Sequence, residues 1–207
     1  MNGFYRSKVM IALLIGMPLI ALLLFVLTPD LEGLPLGSFT ALMISSMAGL
    51  LASTTLAVSV INERTQGVYD LLIVRPVRRP HILLAKYLAV VVSVIAAAFL
   101  SLLVANIYDW LNNSPIDIGS SLAEPMMVTI TMACVSCAVA ILVGSLVRSV
   151  LLGIILTLYG GNQLSAVIVL TSLQDMMSTE AAAIIGLALA ATLVVLAVIM
   201  FNRKLNS

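Results

Sequence analysis

Apolar residues run in six long stretches along the chain, separated by short polar ones. The stretches are roughly 9–27, 39–61, 87–107, 125–147, 149–170 and 181–201. None has a charged residue in its interior. About 20 apolar residues are needed for a helix to cross about 30 Å of hydrocarbon. The runs lack the alternation of barrel strands, so the pattern predicts an all-α protein of six membrane-spanning helices in a single domain. The fourth and fifth stretches nearly touch. As one helix, 125–170 would be about 69 Å long, roughly twice the thickness of a bilayer. The chain is therefore expected to turn back near 144–149, with Arg148 at the headgroup level of the turn.

Composition and charge sharpen this picture. Of 207 residues, 62% are hydrophobic and 9% charged. A soluble domain carries about 25% charged residues, so lipid must solvate much of this surface. The net charge of +1 gives no sign of a nucleic-acid partner. With both termini inside, all 10 basic residues fall on the cytoplasmic side. Seven acids, Asp30, Glu32, Asp109, Asp117, Glu124, Asp175 and Glu180, fall outside. This is the positive-inside pattern, and it supports the span count. The 9–27 run is longer than a signal-peptide core and no A-x-A site follows it, so it reads as a retained first span. No G-x-x-x-x-G-K-[ST] loop is present, so any ATP would be bound by another chain.

Two spans carry small residues at every fourth position. In the second these are Ala41, Ser45, Gly49, Ser53 and Ala57; in the fifth they are Ser149, Gly153, Thr157, Gly161 and Ser165. Such ladders let another helix backbone approach closely, within one subunit or between two. Gly49, Gly153 and Gly161 are the packing or interface candidates. Polar groups in lipid need a partner or a wet cavity. Tyr159, Asn162 and Gln163, beside the Gly160–Gly161 step that softens the helix, are candidates for a translocation path, as is Ser53 in the second span. The alternative is that the two amides lock helices together.

Cys134 and Cys137 stand three apart on one helical face, where both thiols can meet a soft metal or oxidise together. A closed zinc site needs four ligands, and the span contains no His or acid. The pair otherwise serves as small packing residues. An intramembrane thiol- or metal-handling protein is the alternative function these cysteines suggest. A non-transporting membrane anchor or assembly subunit is another.

The one long charged run is 62–86, NERTQGVYDLLIVRPVRRPHILLAK. Asn62 is expected to end the second span and cap a new helix, with Glu63 in its first turn. Val68, Leu71 and Leu72 share a face, so a short amphipathic helix is expected before Pro76 stops it. Pro80 then opens the segment leading into the third span. Arg75, Arg78 and Arg79 can bind anionic headgroups, each worth about 1 kcal/mol.

The ordered positions Glu63, Arg64, Gly67, Leu71, Leu72, Pro76, Val77, Arg79, Ile82 and Lys86, following the second span, resemble the signature of type-2 ABC transporter permeases. The six-span layout without a nucleotide domain is similar too. The resemblance implies that 62–76 is a coupling helix docking on a separate ATPase, with Glu63, Arg64, Gly67, Leu71, Leu72 and Pro76 contacting or positioning it. It further implies two ATPase subunits, a second identical or homologous permease subunit, and export from a prokaryotic cytoplasmic membrane. ATP and Mg would lie on the partner, leaving this chain without cofactor or covalent chemistry. The importers' alanine pair is absent from the elbow. Eight residues precede the first span and ten separate the fifth from the sixth, which resembles compact family members rather than large polysaccharide or lipid exporters.

Overall fold

A computed structural model describes residues 15–16, 18–20, 23, 36–66, 79–112, 118–173 and 178–205. Residues 15–16, 18–20 and 23, from the first expected span, are helical. The named helices follow in order: α1 (Leu36–Thr65), α2 (Arg79–Asn112), α3 (Ile118–Leu146), α4 (Val150–Leu156), a π-helical turn (Thr157–Gly161), α5 (Asn162–Leu173) and α6 (Thr179–Leu205). The described residues contain no strand. Four helical segments among them are long and apolar enough to cross a membrane: His81–Val104, Ala123–Leu146, Val150–Val167 and Thr179–Phe201.

The helices outrun the apolar stretches. α2 starts at Arg79 because Pro80 fits a first helical turn, where its missing N–H would be unpaired anyway. α6 starts two residues before its apolar run; Ser178 Oγ accepts from the Ala181 N–H at 3.4 Å, and Glu180 meets the positive end of the helix dipole. The break expected near 144–149 is found at 147–149, where the chain leaves helical geometry between α3 and α4. Ser149 is the extended residue before α4.

α3 is the hub. Residues 131–141 are buried without interruption, so this stretch presents no free face. A helix that is apolar all round belongs inside a bundle. Its small residues, among them Ala133, Cys134, Ser136, Cys137, Ala138 and Ala140, keep the column thin enough for several neighbours. α1 and α6 make its largest contacts; α2, the π turn and α5 complete the ring. From α1, Ala48, Ala52, Leu56, Ala57 and Val60 enter the same core. Large apolar side chains point outward elsewhere, including Leu151 at 69% exposure and Ile184 at 68%.

The α4–α5 rod explains how a four-residue ladder stays on one face. Residues four apart drift by about 40° per step on an α-helix, so Ser165 would end about 120° around from Gly153. Yet Gly153, Thr157, Gly161 and Ser165 are all buried. The π turn holds an extra residue and takes back most of that drift. The Gly160–Gly161 step thus marks a widened turn rather than only a soft place.

Candidate coupling site at one end of the bundle

Four helix ends converge at one end of the molecule: the C-terminal ends of α1 and α3 and the N-terminal ends of α2 and α4. Glu63 Oε1 forms an ion pair with Lys86 Nζ. Lys86 also donates to Ser59 Oγ at 3.2 Å. Ser59 and Glu63 are four apart on α1, so one ammonium spans both. A part-exposed ion pair contributes only about 0.2–1 kcal/mol. Its geometric effect is larger, because it ties together the two ends of the 62–86 segment.

Arg64 points to a different neighbour. Its Nη1 donates to the Ser145 carbonyl oxygen at 2.6 Å. Ser145 lies in the last turn of α3, where carbonyls lack partners within the helix and a cation meets the negative end of the dipole. Burial, and then the neighbouring Arg148 guanidinium, lower the Arg64 pKa from its ordinary value.

These contacts revise the expected role of Asn62. The helix does not end there: Asn62 accepts from the Gln66 N–H at 2.9 Å and from the Thr65 hydroxyl at 3.0 Å, and α1 runs on to Thr65. Continuing the helix keeps Glu63 and Arg64 in phase with their partners on α2 and α3. Gly67, Leu71, Leu72 and Pro76, and with them the amphipathic helix expected before Pro76, lie outside the described residues.

The translocation candidates do not form one cluster. Ser53 is buried and donates to the Leu50 carbonyl of its own helix at 3.2 Å. Asn162 Oδ1 accepts from Ser46 Oγ at 3.4 Å, linking α5 to α1. Tyr159 is 70% exposed, and Gln163 is exposed four positions later. The glycine candidates face inward: Gly49 and Gly161 lie against Ser136, and Gly153 against Ile61. Ser46, Gly49, Leu50, Met132, Ser136, Asn162 and Ser165 line a cleft too narrow for a water molecule.

Cys134 and Cys137 are free thiols buried in the α3 hub. The Tyr87 hydroxyl donates to the Cys134 carbonyl at 3.2 Å, holding α2 against α3.

Sequence reasoning missed Ser136, on which two glycine faces converge, and Ser145, whose backbone receives Arg64. Ser136 carried a usable signal, since it sits between two cysteines in the longest run of small residues. Ser145 carried none, because any residue offers a carbonyl.

Helices long and apolar enough to cross a bilayer, with large apolar side chains facing outward, define a helical membrane protein. Residues 4–163, well over half the chain, match the ABC-2 family transporter protein family. The chain belongs to that family: it is a permease of an ABC transporter, a membrane subunit that is not itself an enzyme, and membership implies association with an ABC ATPase. Neither a curated protein nor a solved structure matches it.

Proposed function

We propose that this chain forms the translocation path of an ATP-driven exporter in a prokaryotic cytoplasmic membrane. Two permease subunits, identical or homologous, act with two ATPase subunits. All six apolar stretches span the bilayer, with both termini in the cytoplasm. The 62–76 segment docks on the ATPase, which binds ATP and Mg. Closure of the ATPase pair pushes this elbow and tilts the helices on either side of it. Tyr159 and Gln163 line the path, while Asn162 and Ser53 stand behind it. A polar side chain exposed within an apolar span is costly in lipid, which favours a wet or protein-lined surroundings for Gln163.

The observation that carries this reading is the family match across residues 4–163, which spans the whole elbow. Convergence of the elbow's two ends with the α3–α4 turn supports it.

The test is purification of the tagged chain from its native membrane. An ABC ATPase should accompany it in equal amount, and Gly67→Trp should release the ATPase while leaving the permease in the membrane. A tagged chain that never brings down an ATP-hydrolysing subunit, under gentle detergent or after crosslinking, would overturn the proposal.

A further inference from the structure

The elbow has two described ends, 62–66 on α1 and 79–86 on α2. The Glu63–Lys86 ion pair joins them, and the Lys86–Ser59 hydrogen bond adds a second tie on the α1 side. Any push on the elbow is thereby shared between α1 and α2. Arg64, one residue along, leaves this pair and reaches the last turn of α3. Just beyond that turn the chain is non-helical at 147–149 and then enters α4, the π turn and α5. The α3–α4 break is therefore the natural place for the α4–α5 rod to change its angle against α3.

The Arg64 contact differs from a surface ion pair. Its acceptor is a backbone carbonyl of a buried residue, so it grips the helix itself rather than a mobile side chain. A charged donor makes such a bond stronger than a neutral one. Gly144, one residue before Ser145, brings α3 against Val60 of α1. Helix contact and tether thus occur at the same level.

We infer that Arg64 is a positioning residue that carries movement of the elbow to the α3–α4 turn, and through that turn to the α4–α5 rod. The inference rests on the coupling role proposed above. It assigns Arg64 inward, to this chain, rather than outward to the ATPase.

The experiment measures the distance between spin labels at Gln66→Cys and Ser149→Cys, both exposed positions on either side of the tether. The native thiols suit the design, since Cys134 is 9% exposed and Cys137 0%, leaving the introduced cysteines to react first. The complex purified with its ATPase is compared without nucleotide and after trapping with ATP and vanadate. With Arg64 present, the two labels move together and the distance distribution keeps its position and width. In Arg64→Met it broadens without nucleotide and shifts on trapping; in Arg64→Lys, which keeps the charge, it lies between.

A distribution that stays narrow and unshifted in Arg64→Met overturns the inference. So does loss of the ATPase from Arg64→Met membranes, which would make Arg64 a docking contact. If the wild-type chain brings down no ATPase, the coupling proposal falls by itself. The nucleotide-free comparison of wild type with Arg64→Met still reports on the tether. Should Arg64→Met fail to fold, Arg64→Lys alone carries the test, and an unchanged distribution there in both states counts against the link.

Discussion

Replacing Gly144 by alanine tests the packing of the bundle where α3 meets the stiff Val60 side chain of α1. A Cβ at this position would stand 3.0 Å from Val60 Cβ, 3.1 Å from Val60 Cγ1 and 3.5 Å from the Ala57 carbonyl oxygen. Carbon atoms prefer about 3.5–4.0 Å, so both carbon contacts are short by roughly half an ångström or more. Val60 is fully buried and β-branched. Its Cβ moves only with the backbone, and a helix leaves it essentially one rotamer. The helices α1 and α3 must therefore part.

Overpacking of this kind costs about 1–3 kcal/mol, while exchanging glycine for alanine in a helix returns about 1 kcal/mol. The net loss is on the order of 1 kcal/mol, or about 2–4 °C in melting temperature for a chain of this size. The assay is heating in detergent followed by size-exclusion chromatography of the surviving monodisperse protein. Gly161→Ala is the control, because its nearest neighbours, the Ser136 Cα and carbonyl oxygen, lie at an ordinary 3.6 Å. Val60→Ala should rescue Gly144→Ala only in part, since it removes Cγ1 and leaves Cβ. A Gly144→Ala protein as stable as wild type, beside a Gly161→Ala protein that melts lower, would refute the packing argument.

Three further outcomes are expected. A double-mutant cycle with Glu63→Gln and Lys86→Met should give a coupling energy of about 0.2–1 kcal/mol that shrinks in high salt; zero coupling at low salt would remove the pair from the elbow's support. Ser46→Ala should lower stability by about 0.6 kcal/mol, the usual worth of an interhelical hydrogen bond in lipid, and should cost nothing further in an Asn162→Leu background. Maleimide should modify Cys134 and Cys137 in the folded protein far more slowly than after SDS denaturation, with mass spectrometry counting the adducts; equal rates would show that the α3 hub is open.

Much of the fold was legible in the sequence because hydrocarbon is a demanding solvent. Charges are excluded from spans, so the apolar stretches located α2, α3, the α4–α5 rod and α6, and the thickness of a bilayer required the break found at 147–149. Helix ends were less legible. Asn62 reads locally as a cap, but the partners of Glu63 and Arg64 lie 23 and 81 residues away and draw the helix onward to Thr65. The π turn was half visible: a glycine pair suggested softness, while the reason for extra width lies in keeping Ser165 on the face of Gly153. The candidate site was legible as a list of residues and not as a set of contacts. Asn162 finds Ser46, whereas neighbouring Gln163 finds the outside, and single-residue reasoning cannot separate two adjacent amides.

The widened turn in the α4–α5 rod amounts to one spare residue wound into an otherwise regular spiral. Deleting a single position from 157–161 would leave Gly153 and Ser165 at nearly the same azimuth, because the shortened segment closes as a plain helix. Straightening the turn at full length is a different operation: it would spin everything beyond Gly161 by about 100° relative to α4.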